Sequence, residues 1–190
     1  MMVLMANRFR RGNTLATTFT GTLSERHGEP VERVPSPERL LDWFRENGLA
    51  VDSCTPDQLH RARDLREAID RAATAVAGDS APPAAAIETI NRCSEDGRAW
   101  ATLTSDGRTW RLASSSVEDA LSVVAADAID LLSGQRDGRL ARCASPSCQA
   151  VFLDTSQSRT RRWCDMNTCG NRQKKARLKA RSTGGVRRDA

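Results

Sequence analysis

Apolar residues recur at helical spacing along most of this chain, and each run is bounded by start and stop signals. Ser36-Pro37-Glu38 reads as an N-cap, a proline at the first helical position and an acidic first turn. Leu40, Leu41, Trp43 and Phe44 follow, and Asn47-Gly48 stops the run. Thr55-Pro56-Asp57 repeats the signal ahead of Leu59, Ala62, Leu65, Ile69, Ala72, Ala73 and Val76, which end at Gly78-Asp79. A shorter helix is expected from Ala84 to Cys93. Ser116 then caps a strongly apolar helix through Val117, Leu121, Val124, Ala125, Ala128, Ile129, Leu131 and Leu132 that closes at Gly134. Between these last two helices the period changes to two. Trp100, Thr102 and Thr104 lead to Asp106-Gly107, with Trp110 and Leu112 beyond, which predicts a β-hairpin with a type I′ turn and both tryptophans on one face.

After Gly134 the pattern becomes shorter and more polar. Gln135 to Leu140 reads as a brief connector, compatible with direct docking of the next segment and not as a flexible linker. Ala150 to Leu153 is expected as a strand, Asp154 to Thr160 as a polar turn, and Arg161 to Cys164 as the returning strand, a hairpin that brings Cys148 towards Cys164. Asn171 to Arg181 contains good helix formers, with Ala176, Leu178 and Ala180 among cations. The fold class is therefore mainly α with a small β-hairpin (α+β). A helical N-terminal domain over 13–134, expected to fold by itself, precedes a small module with a basic helix over 139–181 and a disordered tail over 182–190.

Composition supports this division. At 190 residues, 39% apolar and without tyrosine, the chain suits one helical domain of ordinary size and a small appendix, not a β-sandwich. No apolar run approaches the ~20 residues that span a bilayer. From Met1 to Arg11 a short apolar start precedes Arg8, Arg10 and Arg11, the reverse order from a secretory signal, so a cytoplasmic protein is expected. Charge is split unevenly. Residues 135–190 hold 14 Lys and Arg against 4 Asp, a net +10, so the overall +5 leaves −5 on the rest; all three lysines fall in this last segment. An acidic body with a strongly basic end is what a chain offering one end to phosphates requires.

Cys143, Cys148, Cys164 and Cys169 make two Cys-x4-Cys pairs about fifteen residues apart. In a reducing compartment such a cluster points to metal and away from disulfides. Four thiolates at roughly 2.3 Å from Zn²⁺ fill a tetrahedral shell and leave no open position, so one structural zinc ion is expected, holding a module too small to fold on its own core. Phe152 and Trp163 are the expected miniature core, with Trp163 as a base-stacking platform the alternative. Cys54 and Cys93 read as small semi-buried apolar residues, and His27 and His60 as surface residues. Arg161, Arg162, Arg172, Lys174, Lys175, Arg177 and Lys179 are the candidate nucleic-acid contacts, although the first three lie close enough to the thiolates to balance their charge. No catalytic acid–base pair or nucleophile stands out, and an enzyme is not expected.

From Arg142-Cys143 to Arg172 the sequence resembles the CGNR-type zinc finger family. The residues that carry the likeness are Cys143-x4-Cys148, Phe152-Leu153-Asp154-Thr155-Ser156, Arg161-Arg162-Trp163-Cys164 and Met166-x-x-Cys169-Gly170-Asn171-Arg172. The resemblance implies that the preceding helical region is an ABATE domain, of the kind attributed to stress-induced transcription regulators of bacteria. It departs from that family's aspartate-containing Leu-Asp-x-Val-Asn-Thr pattern at Leu15 to Thr22. The function expected is a DNA-binding transcription regulator, contacting double-stranded DNA through the finger. The helical body would then receive a small-molecule or protein signal, or a second copy of the chain. An RNA-binding or ribosome-associated protein and a zinc-thiol redox switch are the alternatives.

Overall fold

The computed structural model describes residues 9, 10 and 12–184, so most of the segment read as Met1 to Arg11, and residues 185–190 of the expected tail, lie outside the described residues. The elements in chain order are α1 (Leu15–Thr20), β1 (Leu23–Ser24), β2 (Val31–Glu32), α2 (Pro37–Glu46), α3 (Pro56–Ala77), α4 (Ala84–Asp96), β3 (Ala99–Thr104), β4 (Gly107–Leu112), α5 (Val117–Leu132), β5 (Arg139–Arg142) and β6 (Val151–Asp154). A π-helical turn (Met166–Gly170) and α6 (Asn171–Gly184) complete the chain, and residues 182–184 continue that last helix. The strands pair antiparallel in three two-stranded sheets among the described residues, giving an α+β fold dominated by helices. No described helix is long and apolar enough to cross a membrane.

Capping chemistry sets the helix starts. The Thr55 hydroxyl accepts from Gln58 N while the Gln58 side chain accepts from Thr55 N, a reciprocal box that starts α3, and Ser116 accepts from Asp119 N to start α5. Helix α5 is apolar on most sides because it is the central element, with α1, α3 and α4 all packed against it. Trp43 is fully buried against Phe19 (ring centroids 4.8 Å) and Phe44 (5.6 Å), which pins α2 to α1.

Helix α1 has no counterpart in the sequence reading, for a physical reason. Four of its six residues, from Thr17 to Thr20, include three threonines, which are weak helix formers. Tertiary structure compensates: Thr18 Oγ1 donates back to the Thr14 carbonyl (2.8 Å), and Asp127 of α5 accepts from Ala16 N (2.8 Å). Beside it, Arg66 is only 3% exposed. Its guanidinium donates to both Glu32 oxygens (2.8 and 2.9 Å), to Glu67 (2.9 Å) and to Thr22 (3.2 Å). Arg66→Ala should lower stability by about 3 kcal/mol, near the lower end for breaking a buried pair because both glutamates keep some surface in water. A denaturant midpoint matching the parent would contradict this.

Two expectations about strands are corrected. The β3–β4 loop is Ser105-Asp106, closed by the Thr104–Gly107 pair, and neither loop residue has the positive φ that a type I′ turn demands. A two-residue loop pairs even-numbered positions with odd-numbered ones, as in Ala101 opposite Trp110 and Trp100 opposite Arg111. The tryptophans therefore face opposite ways: Trp110 packs on the main core, and Trp100 is 54% exposed. The second correction concerns β6, whose partner is β5 and not residues 161–164. Residues 156–162 instead hydrogen-bond the buried Asp154 carboxylate and the finger loop. Ser156 N and Arg161 N donate to Asp154, and Ala144 N donates to the Arg162 carbonyl (2.8 Å).

The β5–β6 pair determines how the two halves of the chain meet. Its side chains alternate faces, so Leu140, Val151 and Leu153 enter the main core while Ala141 and Phe152 join the cysteines. One small sheet is thus a wall of two cores.

Candidate metal centre

Each cysteine is positioned by a different local device. Cys143 directly follows β5, with its N–H donated to the Ala150 carbonyl (3.0 Å). The loop then turns through Ser145, whose carbonyl accepts from Cys148 N (3.0 Å) and Gln149 N (3.1 Å), and Gln149 takes a positive φ of 47° to re-enter β6. On the other side, Asp165 caps the π-helical turn by accepting from Thr168 N, and its carbonyl accepts from Cys169 N (3.0 Å) and Gly170 N (3.1 Å). Gly170 has a steric role. A Cβ there would sit 3.0 Å from Met166 Cε, so any larger residue requires the exposed Met166 side chain to shift by a few tenths of an ångström.

The four sulfurs lie within 4.8 Å of one another, with Cys148–Cys164 and Cys164–Cys169 both at 3.7 Å. A tetrahedral ion bonded at 2.3 Å to four thiolates sets its sulfurs about 3.8 Å apart, so the donor set fits Zn²⁺ in both chemistry and spacing. Cys143, Cys148 and Cys169 are buried, Cys164 is half-buried, and Phe152 and Trp163 cover them as the sequence reading expects. Four thiols at this spacing resist holding four negative charges without a cation. The neighbouring sulfurs, Cys143 foremost, push Cys148 and Cys164 above the ordinary thiol range, and hydrogen bonds from Cys143, Cys148 and Cys164 hold Cys169 below it. Cys54 and Cys93 are free thiols remote from this cluster.

The basic residues divide into two groups. Arg161 is turned inward: its Nε donates to the Trp163 carbonyl (2.8 Å), its Nη2 to the Cys164 carbonyl, and its guanidinium lies 5.2 Å from the Phe152 ring. Arg172 donates to Glu25 and to Ser147 Oγ (2.9 Å). Arg162 is exposed over Trp163 (5.5 Å), and Lys174, Lys175, Arg177 and Lys179 are exposed on α6, which starts at the metal cluster.

Sequence reading missed the body's contribution to the site. Glu25, in the β1–β2 loop, accepts from Ser147 Oγ (2.7 Å) and Arg172 and pairs with Arg10 (3.3 Å). Burial opposes its charge, but Arg172, Ser147 and Arg10 more than offset that and hold it below the usual carboxylate range. His27 N donates to the Ser147 carbonyl (3.1 Å), and a Cβ on Gly28 would come within 2.8 Å of Ser147 Cβ, so the loop and the finger touch at backbone distance. Arg10 donates to Cys169 Sγ (3.7 Å) and Cys148 Sγ (3.9 Å). These partners lie more than 100 residues apart in sequence, and no local pattern signals them.

Residues 139–182 match the CGNR zinc finger, and residues 13–135 match the ABATE family, described as "Putative stress-induced transcription regulator". No curated protein matches the chain. The sulfur geometry and the finger match agree on a single structural zinc site. Because the ABATE match spans more than half of the sequence and runs directly up to that finger, the chain belongs to the ABATE family and carries a CGNR zinc finger at its C-terminal end.

Proposed function

We propose that this protein is a cytoplasmic, DNA-binding regulator of transcription whose zinc finger and basic helix contact duplex DNA while the helical body receives the signal. The observation that carries this reading is α6: Lys174, Lys175, Arg177 and Lys179 are exposed on a helix that starts at the metal cluster. With Arg162 beside Trp163, these residues form the phosphate-contacting set; Arg161 and Arg172 hold the finger together and to the body. The zinc is structural and takes no part in catalysis, because four thiolates leave no position for substrate or water.

Five phosphate contacts predict a slope of about −4.5 in log K against log salt on duplex DNA. Changing Lys174, Lys175 and Lys179 together to Ala should weaken binding and flatten that slope by up to about 3, with zinc content equal to the parent. Unchanged affinity and slope would make α6 a solvated arm and overturn the proposal. Competition between duplex DNA and structured RNA at one salt concentration tests the choice of nucleic acid. Preference for RNA would favour a ribosome-associated role.

A further inference from the structure

We infer that Arg10 is the outer-sphere cation of the zinc centre, so that retention of the metal depends on a residue outside the finger itself. The finger's own arginines point elsewhere. Among the described residues Arg161, Arg162 and Arg172 direct their guanidinium groups to carbonyls, to Trp163 and to Glu25, respectively. Arg10 instead places two nitrogens on two ligand sulfurs, Nη2 on Cys169 and Nη1 on Cys148. It precedes both matched regions, 13–135 and 139–182, so neither family accounts for it.

The chemistry favours this arrangement. Zn²⁺ with four thiolates carries a formal charge of about −2, and N–H donors to the sulfurs spread that charge and disfavour the protonation that begins ligand loss. A guanidinium stays charged and presents a planar fork that spans two acceptors. Phe9, next to Arg10, is buried in the main core beneath Arg39 (4.4 Å), which fixes the segment in place. Glu25 accepts from the same Nη1 that faces Cys148 (3.3 Å) and so holds the guanidinium in this position.

The test is zinc release from the full-length, zinc-loaded chain into excess chromogenic chelator. Arg10→Ala should release zinc about tenfold faster, the lower end of what loss of an outer-sphere partner costs in metal affinity. Arg10→Gln, close in length and without charge, should do the same and carries the test if the alanine variant folds poorly. Arg26→Gln, which removes a cation of the same β1–β2 loop that pairs with Glu67 and Asp70, should stay within about twofold of the parent. Release at the parental rate from Arg10→Gln would overturn the inference. So would equal acceleration in Arg26→Gln, because the effect would then follow from losing any loop cation and not from the guanidinium facing the metal.

Discussion

Cys164→Ser should leave the protein with less than about a tenth of an equivalent of zinc after dialysis against chelator, where the parent keeps one. A serine hydroxyl does not ionise at neutral pH, so the ion loses one of four anionic donors and the remaining sulfurs lose the charge that drew them together. Structural zinc in small modules contributes about 10–16 kcal/mol of apparent binding free energy at pH 7, far more than the thin cluster of Ala141, Phe152 and the cysteines supplies through burial. The loss should be local: residues 143–150 and 155–170 lose their order, while β5 and β6 stay attached to the body through Leu140, Val151 and Leu153. Cys54→Ala and Cys93→Ala together should keep the full equivalent. Metal analysis of the variants decides the matter, and stoichiometric zinc in Cys164→Ser would remove that residue from the ligand set.

Cutting the chain at residue 134 should destabilise the helical body severely. Leu140, Val151 and Leu153 are each nearly buried in the main core, and a fully buried aliphatic side chain contributes about 1.5–3 kcal/mol. Removing all three, and exposing the surfaces of α1 and α3 that receive them, withdraws roughly 5–9 kcal/mol from a domain whose whole stability is expected to be about 5–15 kcal/mol. The isolated fragment should therefore melt broadly and at much lower temperature than the intact chain, as followed by far-UV circular dichroism. A cooperative transition within a few degrees of the intact protein would restore the picture of a self-sufficient body drawn from the sequence.

The core shared across β5 and β6 is not legible in the sequence, for an identifiable reason. Capped amphipathic helices such as α2, α3 and α5 are legible because the cap, the apolar stripe and the terminal glycine all lie within one local window. The four cysteines are legible because metal ligands repeat one residue type at short spacing. Leu140, Val151 and Leu153 alternate with residues facing the metal, and four-residue strands are too short to reveal which face meets which core. Helix α1 stayed hidden because its threonines argue locally against the helix that Asp127 and Thr14 stabilise from outside. Arg10 and Glu25 are invisible at the sequence level, since a pairing across more than a hundred residues leaves no periodic trace.

The exposed helix α6 also has a consequence for chemical labelling. Lys174, Lys175 and Lys179 are the only lysines in 190 residues, and all three are solvent-accessible there. An amine-directed reagent applied to the folded protein therefore finds its lysine targets on this one helix. Acylation would erase up to three positive charges from the arm in a single step and leave every arginine intact. Progressive acylation, followed by mass, would thus titrate the arm's charge without any change to the sequence.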